Sequence, residues 1–306
     1  MQQVIVSGAN SFIGSAVVKA LLKRNVNVIA LCRLGRTSNL PTHRNLSVLS
    51  FDMTQPEQLS LPKGHYDAFY HFSWVGGTAV DHRGDYALQL KNAEWTLEML
   101  KKAKAIGCRK FIAAGSIMEK ESILASCKSG NRPGMGYIYG AGKLAAHLMA
   151  QSLAANLDIP LIWAQITNAY GVGEISTRMV NTTIRKCIRG EAPEFTSAVQ
   201  NYDFIYIDDV AEAFCCLGEK GKPFTEYTIG SGRPRPLKEF LLEMKDAIAP
   251  DLPFHFGNIP YTGVSMPLEL LDTETLEADT GFKAKVSFAE GTRRTRDWLE
   301  QEIRHD

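Results

Sequence analysis

The chain has no block of one charge, no cysteine spacing of the metal-binding kind and no apolar run long enough to span a bilayer. Across 306 residues, 34 Lys and Arg stand against 33 Asp and Glu, for a net charge of +1. A nucleic-acid partner held mainly by phosphate neutralisation needs a basic surface, so the balance argues against one. The six cysteines fall at 32, 108, 127, 187, 215 and 216, and the last two are adjacent on an expected helix. That pattern suits reduced thiols better than a disulfide framework. The N-terminus enters a strand, Val4-Ile5-Val6, without a basic segment and apolar stretch before it. With no membrane-length run either, the expectation is a soluble cytoplasmic protein with no membrane partner.

What is present is an alternation of short apolar runs with longer helical patterns. Strands are expected near 3–7, 26–32, 47–51, 67–73, 110–115 and 160–167. Helices are expected near 12–24, 84–106 and 137–156, with a weaker one near 55–60. Leu90, Ala93, Leu97 and Leu100 recur at steps of three and four and mark the buried stripe of the second helix. Strand, helix, strand in repetition implies right-handed crossovers and an α/β fold, a doubly wound parallel Rossmann sheet. Beyond about 168, Gly and Pro become frequent, as in a smaller, loop-rich lobe. The expected division is 1–167 for dinucleotide binding and 168–306 for a C-terminal α/β substrate lobe. Phe204-Ile-Tyr-Ile207 reads as a further strand, so 203–217 is expected to return to the first part.

The first strand runs into Ser7-Gly8-Ala-Asn10-Ser11-Phe12-Ile13-Gly14 and then an amphipathic helix. Gly8 permits a tight turn, and Gly14 lets helix and strand approach closely. The N–H groups of that helix end favour a pyrophosphate. Ser11 stands where a G-x-x-G-x-x-G pattern has its middle glycine, so the turn is a variant. The second strand ends Ala30-Leu-Cys-Arg33, with Arg36 beyond and no carboxylate to receive the ribose hydroxyls. Two guanidiniums suit a 2′-phosphate and point to NADP, with NAD the alternative. Read blandly, Arg33 and Arg36 are solvated loop charges. Asp52, after the third strand, either reaches the adenine or initiates a turn.

Tyr139 and Lys143, one helical turn apart, share a helix face. A phenol titrates near 10, and a neighbouring ammonium is expected to draw it toward working pH. Phe111-Ile-Ala-Ala-Gly-Ser116 reads as a buried strand that delivers Ser116, and a loop then leads to Tyr139. A strand-end serine is by itself usually a cap or turn residue.

Together these motifs resemble the extended short-chain dehydrogenases/reductases of nucleotide-sugar type, the NAD-dependent epimerase/dehydratase family. The likeness runs nearly end to end. It includes Asn92, Asn168-Ala-Tyr-Gly-Val-Gly173, Tyr202-Asp-Phe-Ile-Tyr-Ile-Asp-Asp209, Ile229-Gly-Ser-Gly-Arg-Pro234 and the closing Phe288-to-Trp298 segment. The resemblance implies an NAD(P)-dependent oxidoreductase. In it Tyr139 is the acid/base, Lys143 holds the nicotinamide ribose and Ser116 hydrogen-bonds the substrate oxygen. It places Gly8, Asn10, Ser11, Phe12, Ile13, Gly14, Arg33, Arg36, Asp52, Met53, Phe72, Ser73, Trp74, Asn92, Lys143 and Ile166 along the cofactor. It puts Ser116, Tyr139, Asn168, Arg178 and Arg233 with a nucleotide-sugar substrate, and it implies a homodimer through the helices at 84–106 and 137–156.

Departures from the pattern narrow the chemistry. Ile117-Met118 stands where sugar 4,6-dehydratases of this family carry Asp-Glu, so dehydration is disfavoured. Glu119 reads as a loop charge and His71 as a satisfied core residue. Gln165 and Tyr202 replace two usual arginines, the second of which ordinarily contacts the diphosphate. Reduction of a keto group, at C4 of a nucleotide-linked deoxy sugar, is the leading expectation. The alternatives are a 4-epimerase with bound NAD and, from another class, an NADP-sensing regulator.

Overall fold

A computed structural model describes residues 1–33, 39–77, 80–261 and 263–305. At its centre is a seven-stranded, all-parallel sheet. Its first six strands are β1 (Gln3–Ser7), β2 (Asn27–Cys32), β3 (Leu46–Ser50), β4 (Ala68–His71), β5 (Phe111–Ser116) and β6 (Leu161–Ile166). Two short strands, β7 (Asn168–Tyr170) and β8 (Phe204–Tyr206), pair with each other in a separate parallel ribbon. The seventh sheet strand is β9 (Thr225–Ile229), and the order across the sheet is β9-β6-β5-β4-β1-β2-β3. The sheet is therefore completed by a strand from outside residues 1–167, one that the sequence did not announce.

The helices are α1 (Phe12–Lys23), α2 (Val80–Arg83), α3 (Tyr86–Ile106), α4 (Met118–Cys127), α5 (Tyr137–Asn156), α6 (Met179–Ile188), α7 (Ile207–Lys220), α8 (Leu237–Ile248), α9 (Glu274–Thr280) and α10 (Phe288–His305). Because both sheet faces are covered, alternate strand residues serve different cores. Val4 and Val6 pack into one, with Val17 and Leu21 of α1 and Val210 and Phe214 of α7. Ile5 packs into the other, with Met99 and Leu100 of α3 and Ala146 and Ala150 of α5. This is the period of two that a doubly covered parallel strand requires. Among segment 203–217, the helical part returns to the sheet through α1, while β8 pairs away from it. Residues 117–136, expected as a loop, contain α4.

The chain builds β1, β2 and β3 outward on one side, then crosses to start β4 on the other side of β1. Connections therefore diverge between β1 and β4, and a crevice opens at the carboxyl ends of those strands, where ligands of open α/β sheets lodge.

Candidate active site

The crevice floor is the turn after β1. Gly8 has φ +66°, and a Cβ there would lie 2.7 Å from the Ser73 backbone nitrogen at the end of β4. A side chain at Gly14 would strike the Gly8 carbonyl. Ser11 caps α1, its Oγ accepting from the Gly14 N–H at 3.1 Å. The Phe12 and Ile13 N–H groups have no partner among the described residues. They lie at the positive end of a helix behind a turn that excludes side chains, so this cradle fits a dinucleotide pyrophosphate. The Asn10 carbonyl accepts from the Asn39 side-chain amide at 3.0 Å, which ties the turn to the segment after β2.

Around that cradle the other expected cofactor residues sort by position. Arg33 is exposed at the end of β2, whereas Arg36 lies outside the described residues. Asp52 is exposed and accepts from the Thr54 N–H at 2.9 Å, so the turn-initiating bond is present; Met53 is buried beside it. Phe72 packs edge-on against Phe214, with centroids 4.8 Å apart. Asn92 is fully buried, and its amide grips Val75, accepting from the N–H at 2.7 Å and donating to the carbonyl at 2.9 Å. It shapes the loop after β4 from behind. His71 accepts from Ser7 Oγ through Nδ1 at 2.8 Å and donates from Nε2 to Thr96 Oγ1 at 3.2 Å, because that hydroxyl itself donates to the Asn92 carbonyl. Burial, with Lys143 nearby, lowers His71 to about 3, so it is a neutral structural ring.

Ser116 ends β5 beside Ile166, which ends β6. Ser116 Oγ accepts from the Met118 N–H at 3.2 Å, which leaves its O–H free to donate. Tyr139 and Lys143 come from the first two turns of α5. The Ser116 hydroxyl lies against the Tyr139 phenol. Trp74 stands edge-on to the Tyr139 ring at 6.0 Å and is itself held by a 2.8 Å bond from Nε1 to Gln89 Oε1. Lys143 is buried, its Nζ donates to the Ala114 carbonyl at 2.8 Å, and it sits 3.8 Å over the Trp74 ring. Burial pulls Lys143 down to about 7, against the opposing influence of Glu119.

One expectation is overturned. The Tyr139 phenol is raised above its ordinary value rather than drawn down by Lys143. Burial is the largest cause, and the cations that oppose it are Arg178 and then Arg83. The Lys143 ammonium is instead engaged by a strand carbonyl and an indole face.

Arg83 of α2 is a residue the sequence reading missed. Its guanidinium lies 4.6 Å over the Tyr139 ring, and its buried Nε has no hydrogen-bond partner among the described residues. Its segment carries no helical period, and only the fold brings it to α5. Glu121 of α4 was missed as well; burial lifts its carboxyl to about 7, with Arg83 opposing. Tyr137, Tyr202 and Tyr261 feel its charge and line the same side of the cleft.

The expected substrate residues divide. Arg178 immediately precedes α6, 3.8 Å from Glu174, and belongs to the surroundings of Tyr139. Asn168 donates to the Asp203 carbonyl at 3.0 Å beside the end of β6. Arg233 is exposed and rims a separate cavity of about 50 Å³ with Ser231, Arg235 and Glu243, which contains none of Ser116, Tyr139 and Lys143.

Glu119 was read as a loop charge and is nothing of the kind. It is fully buried on α4 behind β5, where its carboxylate accepts from Ser116 N (2.8 Å), Trp163 Nε1 (3.2 Å) and Gln165 Nε2 (3.0 Å) and lies 3.0 Å from His147 Nδ1.

The chain is similar to known proteins in both sequence and fold. CDP-abequose synthase of Salmonella typhimurium is 24% identical over 299 residues, covering 95% of this chain and 96% of that protein. The Bordetella bronchiseptica enzyme WbmF, solved in complex with NAD+ and UDP, superposes with a TM-score of 0.78 at 23% identity, over 99% of this chain and 93% of that one. UDP-N-acetylglucosamine 4-epimerase from Methanobrevibacter ruminantium, solved with UDP-N-acetylmuramic acid, gives 0.80 at 20% identity, over 98% and 99%. No described helix is long and apolar enough to cross a membrane. The model of the NAD dependent epimerase/dehydratase family matches residues 4–230, which span the glycine cradle, Ser116 and the Tyr139–Lys143 pair. With a parallel sheet, a dinucleotide cradle and that trio at one crevice, the chain belongs to the NAD dependent epimerase/dehydratase family and is an enzyme of the oxidoreductase type.

Proposed function

We propose that this enzyme reduces a keto group, at C4, of a nucleotide-linked deoxy sugar, with NADPH preferred over NADH. The observation that carries the reading is the Tyr139 phenol, half-buried and raised above its ordinary value by desolvation, beside the free O–H of Ser116. Reduction of a carbonyl builds negative charge on oxygen and ends with a proton on it. Ser116 donates a hydrogen bond to that oxygen and Tyr139 delivers the proton. Arg178 and Arg83 stabilise the charge left on the phenolate, and Lys143 holds the nicotinamide ribose. When bound, the dinucleotide supplies the hydride. Ile117 and Met118 supply no carboxylate directly after Ser116, which supports reduction over elimination of water. Arg33 at a strand end without an acidic residue supports the 2′-phosphate.

For the substrate, Tyr137, Tyr202 and Glu121 provide a wall suited to a sugar ring, with Asn168 and Arg178 as polar ligands. Arg233 can reach only a distal part of the molecule. A homodimer through α3 and α5 completes the proposal, since Leu90, Leu148 and Met149 stand exposed on those helices.

The second reading is a 4-epimerase with retained NAD, favoured by the NAD+ in the WbmF structure and by the epimerase name of another structural neighbour. The test is NADPH oxidation against a panel of nucleotide-linked 4-keto sugars, with NADH in parallel and Tyr139→Phe as control. Stoichiometric NADPH consumption, about 10²- to 10⁴-fold slower in Tyr139→Phe, is expected. Interconversion of two sugars with no net cofactor consumption would replace this reading with the second.

A further inference from the structure

The carboxylate buried behind the reacting groups has no role in the chemistry proposed above. Among the described residues four hydrogen-bond partners meet it, two to each oxygen: the Ser116 and Trp163 N–H groups donate to Oε1, the Gln165 amide N–H donates to Oε2, and His147 Nδ1 lies 3.0 Å from Oε2. Three of the four are N–H donors, and His147 Nδ1 is a fourth in the tautomer that carries its proton there, so the cage is built to hold negative charge. His147 needs no charge to take part, since its Nε2 lies 3.1 Å from the Gln151 amide and can accept from it. The imidazole stacks on the Trp163 indole with centroids 4.6 Å apart and planes within 1°. A fully buried anion in so complete a cage is costly to place, and a helix-propensity or packing role would be met equally by an apolar residue.

We infer that Glu119 is the positioning residue of this site, a fixed anion behind β5 that anchors the Ser116 backbone and supplies the countercharge for Lys143. The anchoring is direct, because the Ser116 N–H bonded to Glu119 belongs to the residue whose hydroxyl meets Tyr139. The countercharge is through space. Lys143 is buried, its one hydrogen bond among the described residues is to the neutral Ala114 carbonyl, and Glu119 is the group that opposes its desolvation. The other titratable or charged groups around the pair are His147 on α5, Glu226 on β9 with Lys120 of α4 at 3.3 Å, His71 on β4 and Tyr139. His71 is neutral, and Glu226 is more exposed and already paired with Lys120. The ammonium therefore depends on Glu119 for its charge. Gln165, where the family usually places arginine, belongs to this cage. An arginine there would neutralise the anion.

The inference rests on the proposed reduction only for its kinetic arm, so the experiment has two readouts. In protein labelled with ¹³C at lysine Cε, the Lys143 resonance is assigned by its disappearance in Lys143→Met and titrated in wild type, Glu119→Gln and Glu119→Asp. A wild-type midpoint of about 7 is expected. Glu119→Gln, near-isosteric but uncharged, should lower it by about one pH unit or more, whereas Glu119→Asp should leave it in place. In the kinetic arm, the fall of kcat with rising pH should move down with the resonance, with KM for the sugar little changed. An unmoved midpoint in Glu119→Gln, or equal movement in Glu119→Asp, overturns the inference. A moved midpoint without a kinetic counterpart keeps Glu119 as countercharge and instead removes Lys143 from the proposed reaction. Should Glu119→Gln fail to fold, His147→Phe keeps the stack on Trp163 but takes one donor from the carboxylate. Because the carboxylate keeps its other three donors and its charge, the Lys143 midpoint should stay near its wild-type value, and a fall as large as that expected for loss of the Glu119 charge would overturn the inference.

Discussion

Buried ionisable residues decide this site, and their neighbours set what each can do. In the proposed reaction Tyr139 gives up the proton, and its phenol is raised because desolvation outweighs the arginines beside it; Lys143 is lowered to about 7 by burial, with Glu119 opposing. His71 shows the same physics in a structural role. Its pKa in the fold is about 3 against an ordinary 6.5, so the fold accepts only the neutral ring. The folded value lies below the unfolded one; the contribution to stability is therefore complete above about pH 6.5 and is lost as pH falls from there toward 3. Thermal melts between pH 7.5 and 4.5 should show a decline of the midpoint, and His71→Gln should flatten it. A decline of equal slope in the variant would assign the acid sensitivity elsewhere. At this scale the sequence was informative where residue types are chemically unambiguous, as with Ser116, Tyr139 and Lys143. It misled at Glu119, because a charged residue between Met118 and Lys120 has the local pattern of a solvated surface.

At the scale of elements, boundaries followed from caps and periodicity. β1 lies at 3–7 and α5 at 137–156, as expected, the first from its short apolar run Val4-Ile5-Val6 and the second from the placing of Tyr139 and Lys143 one turn apart. α4 was invisible for the reason that misplaced Glu119: its buried positions include Glu119 and Ser122, so no apolar stripe betrays it. β9 was missed because Thr225–Ile229 is short and mixed, and joins the sheet only by pairing with β6. The element most exposed to test is the start of α1. Ser11→Ala removes the Oγ that caps the Gly14 N–H, and should cost about 1 kcal/mol of stability. It also frees the first turn that faces the pyrophosphate, so dinucleotide affinity should fall with it. Denaturant unfolding and fluorescence titration with NADPH measure the two effects. Unchanged affinity alongside lowered stability would separate the cap from the ligand cradle.

For the whole molecule, the proposed dimer follows from the outer faces of α3 and α5, which pack against each other and present Leu90, Leu148 and Met149 to solvent. A four-helix interface across a two-fold axis would bury these side chains in both copies. Light scattering should give about twice the 33.8 kDa chain mass, and Leu148→Glu with Met149→Glu should return the monomer with the parallel sheet intact by circular dichroism. A monomeric wild type would remove the interface and leave the active site as described, since every residue assigned to it comes from one chain.

The first six strands of the sheet, the glycine turn and the spacing of Tyr139 to Lys143 were determined by the sequence alone, because each depends on contacts within a few residues or on a short local pattern. Only the tertiary structure decided which charges surround the phenol. Arg83 lies on α2, Glu119 on α4 and Arg178 just before α6, and a pKa responds to distance and burial in space, neither of which separation along the chain encodes.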